Sequence, residues 1–175
     1  MDRKLRSIVM ASAFAALTCV ATMIIKIPTI GTNGYVNIGD SIVLLSAWLL
    51  GNPYGALAAG IGSALADLLS GYPAYVPGTA VIKFFMAFAA SFIFRIIKEH
   101  GLPKIPGYVV SSIAAETIMV TGYFAYEAAF LGYGLAASAS IVSNVTQALS
   151  CIVLGLVLVI ILSPVYVRFS PEGMK

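Results

Sequence analysis

The chain has 175 residues, 60% of them hydrophobic and 10% charged, with a mean hydropathy of +0.98 and a formal net charge of +3. Soluble domains carry about 25% charged residues, so this composition excludes an ordinary water-soluble enzyme and indicates an all-α integral membrane protein. A spanning helix needs about 20 apolar residues, so the length predicts a compact bundle of about six transmembrane helices. It is read as one transmembrane domain over residues 1–175, with no separate soluble domain.

Taken in order, the chain starts with a basic head, MDRKLR, followed by an apolar run over about residues 5–25. A signal peptide has an apolar core of about 7–15 residues and a small-residue cleavage site; this run is longer and reaches Lys26 without such a site, so it reads as a retained first helix. Ser7, Ala11 and Ala15 recur every four residues and give it a face of small side chains. In a bilayer such a face admits another helix at close range, either within this subunit or from a partner protein. The stretch KIPTIGTNGYVNIG, residues 26–39, is too polar and too rich in Gly and Pro for a helix and reads as an outer loop.

The second and third helices are predicted over about residues 40–51 and 53–69, joined by a tight inner turn at Gly51-Asn52-Pro53, with Pro53 in the first turn of the third. Asp40 opens the second helix, where a carboxylate complements the helix dipole; direct contact with a ligand is the alternative. Gly55, Ala59, Gly60, Ser63 and Ala64 suit close helix packing. The GIGS within that stretch lacks the preceding strand and following Lys of a phosphate loop, which excludes a nucleotide site there.

Asp67 falls near the outer end of the third helix, and SGYPAYVPG returns the chain to a fourth helix over about residues 79–97. With a rise of about 1.5 Å per residue, Asp67 and Lys83 come to similar depth, so the two are expected to pair. Lys83 is also expected to donate to a substrate oxygen. The charged segment RIIKEHGLPK forms an inner loop before a fifth helix over about residues 106–131. There Glu116, Val120, Tyr123 and Glu127 share one face, which must turn toward the bundle interior or a wet cavity.

The sixth helix, about residues 136–165, brings Ser140, Asn144, Gln147 and Cys151 onto one face. Polar residues in a bilayer often serve as inter-helix glue worth about 0.6 kcal/mol each. An Asn–Gln pair at the depth of Lys83 and Glu127 favours a ligand role. Cys19 and Cys151 lie in apolar runs and read as buried thiols, and His100 stands alone in a charged loop, so neither disulfide nor metal site is expected. Of the 10 Lys and Arg residues, Arg3, Lys4, Arg6, Arg95, Lys98, Lys104, Arg168 and Lys175 fall on the expected inner side, leaving Lys26 and Lys83. That asymmetry predicts both termini in the cytoplasm.

The segments NIGDSIVLLSAWLLG and GALAAGIGSALADLLSGYPAYVPGTAVIK are similar to the substrate-binding S component of energy-coupling factor (ECF) vitamin transporters. The chain most resembles the branch associated with hydroxymethylpyrimidine and vitamin B6 uptake, and the resemblance covers nearly its whole length. It implies a multi-pass protein of a prokaryotic cell membrane that binds a scarce vitamin from outside and topples in the bilayer to deliver it. The implied partners are a transmembrane coupling subunit, docking on Ser7, Ala11 and Ala15, and two cytoplasmic ATPases. Neither a cofactor nor a nucleic acid is implied. The family's binding regions, carried onto this chain, supply Tyr35, Asn37, Tyr72, Tyr75, Lys83, Tyr123, Glu127, Asn144 and Gln147. Tyrosines stack on an aromatic ring, while amides and a carboxylate serve ring nitrogens, hydroxyls and amino groups.

Four other readings compete. An intramembrane protease would need a Ser–His pair within the membrane or an HExxH segment, and the sequence has neither. A membrane scaffold sharing the S-component fold would not need polar residues converging at one depth. A solitary proton-coupled carrier would rest on Glu116 or Glu127. An S component for another vitamin, such as riboflavin, shares every feature given above.

Overall fold

A computed structural model of the chain describes residues 2–29 and 31–169, with side chains for all of these except residues 3 and 167–169. Lys175, and the side chains of Arg3 and Arg168, therefore lie outside the described set on which the charge asymmetry partly draws. The elements are α1 (Arg3–Ile24), β1 (Lys26–Pro28), β2 (Tyr35–Asn37), α2 (Gly39–Leu49), α3 (Tyr54–Leu69), α4 (Val76–Glu99), α5 (Lys104–Ala129) and α6 (Ala139–Phe169). A 3-10 turn over Gly134–Ser138 precedes α6.

The order matches the expected helices, and four of them, α1, α4, α5 and α6, are long and apolar enough to cross a membrane. The other two are shorter. With 11 and 16 residues, α2 and α3 reach only about 16 and 24 Å, less than the hydrocarbon thickness of about 30 Å. The boundary of α4 also moves: it starts at Val76, three residues before the expected start, because Pro77 suits a first helical turn. Pro53 caps α3 rather than entering it.

Helix α2 is the axis of the molecule. It is apolar on nearly every side, which in a helix signals burial all round, and each residue from Gly39 to Trp48 is buried. It packs against α1, α3, α4 and α6. Leu44, Leu45, Met86 and Met119 fill the core around it. Because α2 is short and central, its first turn lies inside the bundle, and Asp40 is only 1% exposed.

The loop expected to be irregular contains a small antiparallel hairpin, with Lys26 opposite Asn37, Ile27 opposite Val36 and Pro28 opposite Tyr35. Its tip is tied by Thr29 N–H to the Gly34 carbonyl at 3.0 Å and by the Thr29–Thr32 hydroxyl pair at 2.8 Å. Asn33 N–H donates to the Tyr133 hydroxyl at 3.3 Å, joining the tip to the connection between α5 and α6. Only a glycine fits at the junction of hairpin and α2. A Cβ at Gly39 would lie 2.0 Å from Thr22 Oγ1 and 2.8 Å from Asn37 Oδ1.

The small face of α1 is used inside the subunit, at least at Ala15. A Cβ on Gly62 would sit 2.4 Å from the Ala15 carbonyl oxygen, so α1 and α3 meet backbone to backbone. Ala11 and Ala15 also border an open apolar groove of about 450 Å³ between α1 and α3; Ser7 is not in its wall.

Candidate functional site

The first buried polar cluster is a knot centred on Asp40. Lys83 donates to Asp40 Oδ1, with the two side chains 3% and 1% exposed. The Gln147 amide donates to Asp40 Oδ2 and, through its oxygen, accepts the Asn37 N–H at 2.6 Å. Asn37 is held further by Gly39 N–H on its side-chain oxygen at 2.7 Å and by the Cys151 thiol on its carbonyl at 3.5 Å. Thus hairpin, α2, α4 and α6 meet at one point.

This corrects the expected Lys83–Asp67 pair. Rise along a helix gives depth but not direction, and Lys83 points from α4 toward central α2 rather than toward the end of α3. Asp40 does occupy the first turn of its helix, yet its carboxylate serves Lys83 and Gln147. A buried ion pair offsets its desolvation cost only when the remaining lone pairs are also met. Here Gln147 meets them.

Beside the knot lies a cavity of about 30 Å³. Tyr35 and Asn37 of β2, Tyr75 just before α4, Tyr123 and Glu127 of α5, and Asn144 and Gln147 of α6 all line it. Asp67 of α3, Thr79 of α4, and Thr29 and Gly34 of the hairpin tip complete the wall. Two expected binding residues stand outside the wall. Tyr72 packs on the Tyr35 ring with centroids 4.7 Å apart, and Lys83 is engaged by Asp40 with its ammonium 5.3 Å from the Tyr123 ring centre. A water needs about 10–15 Å³ of such volume, so the cavity has room for water and not for a heterocycle.

Most of the wall is hydrogen-bonded to itself. The Tyr35 hydroxyl donates to Asp67 Oδ1 at 2.6 Å, and the Tyr75 hydroxyl to Glu127 Oε1 at 3.0 Å. Ser140 donates to Glu127 Oε2, and Thr79 and Tyr123 share a bond of 3.0 Å. Burial, then the charge of Asp67, pushes the Tyr35 hydroxyl well above the ordinary phenol range; burial, then Glu127, does the same to Tyr75. Both phenols therefore remain donors. Asp67 Oδ2 has no partner.

Sequence reasoning missed Asp67, Thr79, Thr29 and Gly34 as wall residues, and Asp40 as the anchor of the knot. Ser140 had a signal, since it shares a helical face with Asn144. For Thr29 and Gly34 no periodicity in the sequence pointed inward.

With the geometry in place, comparison with known proteins decides the class. The sequence model of the family "ECF-type riboflavin transporter, S component" matches residues 3–164. The chain belongs to that family. An "Uncharacterized protein in gap 3'region" of Pyrococcus woesei is 33% identical over 136 residues, 78% of this chain and 87% of that protein. Among solved structures, the S component of a bacterial ECF transporter superposes with a TM-score of 0.68 at 17% identity, covering 93% of this chain and 98% of that one. At that identity the likeness is one of fold. As an S component, the chain is a substrate-binding transport protein rather than an enzyme, and its apolar helices fit the membrane setting.

Proposed function

We propose that this S component captures a small hydroxylated N-heterocycle, hydroxymethylpyrimidine or pyridoxine, on the outer face and passes it to an ECF module. The observation that carries this reading is the convergence of Tyr35, Tyr123, Glu127 and Asn144 from three separate elements on one cavity lined by polar side chains. A cavity so small opens at lower cost for one aromatic ring than for three fused ones. Riboflavin is the second reading, supported by the name of the matching family. Mass spectrometry of small molecules released from the purified, denatured protein separates the two: a single-ring vitamin supports the first, and riboflavin replaces it with the second.

In this reading the bundle is multi-pass in a prokaryotic cell membrane, both termini are cytoplasmic, and the coupling subunit and two ATPases drive transport. The groove beside Ala11 is where the coupling subunit docks. Ala11→Trp fills that groove, so it is expected to abolish assembly with the coupling subunit while substrate binding by the isolated protein persists. Ala15→Trp is a poorer probe, because Ala15 also packs against Gly62 within the subunit. Normal assembly and uptake by Ala11→Trp would place docking elsewhere.

A further inference from the structure

The cavity wall divides into groups that have partners and groups that do not. Tyr35, Tyr75, Thr79 and Tyr123 are each bonded within it, and both oxygens of Glu127 accept a hydroxyl. Two polar groups remain. Asp67, 5% exposed, has its Oδ2 atom without a donor. The Asn144 amide, 6% exposed, has no hydrogen-bond partner among the described residues. Thr79 stands beside Asp67 and shares a bond of 3.0 Å with Tyr123 in which either hydroxyl can be the donor, yet no hydrogen bond reaches Asp67 Oδ2. Leaving a buried acceptor without a donor is destabilising, so a fold that retains one invites a donor from elsewhere.

Charge points the same way. Asp67 and Glu127 both line the cavity, and its wall contains no Lys, Arg or His. Lys83 is neutralised by Asp40, and Lys26 sits over the Tyr35 ring, 5.9 Å from its centre. An anion entering this wall would meet two carboxylates and, among the described lining residues, no cation. A ligand rich in N–H donors would meet acceptors.

We infer that Asp67 is the specificity-determining residue of the cavity, receiving an amino or ring N–H donor of the ligand while Asn144 offers it both a donor and an acceptor. The ligand class is then an uncharged or cationic heterocycle bearing such a donor, and phosphate esters and carboxylates are excluded. This rests on the cavity being the substrate site. It replaces a structural role for Asp67 as partner of Lys83 with a direct one.

The test is calorimetry on the purified protein in detergent with three probes: 4-amino-5-hydroxymethyl-2-methylpyrimidine, its phosphate monoester, and riboflavin. Asp67→Asn keeps the size of the side chain and an oxygen for the Tyr35 hydroxyl but removes the charged acceptor. It is expected to weaken binding of the aminopyrimidine at least about tenfold with an unchanged melting temperature. The phosphate ester is expected to bind the wild type at least about a hundredfold more weakly than the free alcohol. Unchanged affinity in Asp67→Asn, or equal affinity for the ester, overturns the inference. Should riboflavin bind and neither the aminopyrimidine nor pyridoxine, a fourth probe, do so, the single-ring reading fails alone, and the same variant measured with riboflavin decides the role of Asp67: a tenfold loss upholds it and no loss removes it. A wild type that binds none of the three, nor pyridoxine, overturns both.

Discussion

Asp40 and Asp67 are both buried carboxylates in the same bundle, at 1% and 5% exposure, and the protein treats them differently. Asp40 is met on both oxygens, by Lys83 and by Gln147. Asp67 is met on one, by Tyr35, and its other oxygen is left open beside a cavity. A charge fully answered by its own chain fastens helices together. A charge half answered at a cavity wall is available to something that arrives later. The two residues lie 27 positions apart, and nothing in their immediate sequence separates these roles.

The comparison breaks most visibly at Lys83. Lys83→Ala strands Asp40 in the core, and removing one member of a buried pair typically costs about 3–5 kcal/mol. Unfolding titrated with SDS in mixed micelles is expected to show a loss of that order. Adding Asp40→Ala is expected to restore much of it, whereas adding Asp67→Ala is not. Rescue by Asp67→Ala instead would return Lys83 to the partner first expected from depth alone.

A smaller effect is expected at Gln147, which belongs to both regions. Its amide bridges Asp40 and the Asn37 backbone while also lining the cavity. Gln147→Ala leaves a buried N–H and a carboxylate oxygen without partners, at a cost of about 2–3 kcal/mol in stability. Affinity is expected to fall as well, because β2 loses its tether to α6. A loss of affinity with stability untouched would make Gln147 a direct ligand contact and no part of the knot.

Much of this was legible in the residues. The apolar runs gave the helices in order, and the face shared by Glu116, Tyr123 and Glu127 pointed correctly into the bundle, since Glu116 and Glu127 are each 2% exposed. Asn144 and Gln147, one turn apart, both reached the cavity wall. Direction around the axis was the missing quantity. Depth put Lys83 level with Asp67, but only packing shows that α2 lies in the middle and brings Asp40 within reach. The hairpin was hidden for another reason. Lys26–Pro28 and Tyr35–Asn37 are strands of three residues each, too short to show a period of two against their Gly- and Pro-rich surroundings. Tyr35 therefore read as a loop aromatic, with no sign of its bond to Asp67. The double use of Gln147 was equally invisible, because an amide on a helical face does not reveal whether its partners are protein or ligand.

Asn144 offers the most direct test of the central claim, that the polar cavity under the hairpin is the substrate site. Its amide has no protein partner among the described residues, so Asn144→Ala removes nothing from the knot and leaves the fold intact. The measurement is calorimetric titration, in detergent, of whichever vitamin is released from the wild-type protein, into wild type and Asn144→Ala side by side. Weakening by about 1–3 kcal/mol, with the unfolding midpoint unchanged, is the predicted result. Equal affinity in the two proteins would contradict the account and move the substrate site away from this cavity.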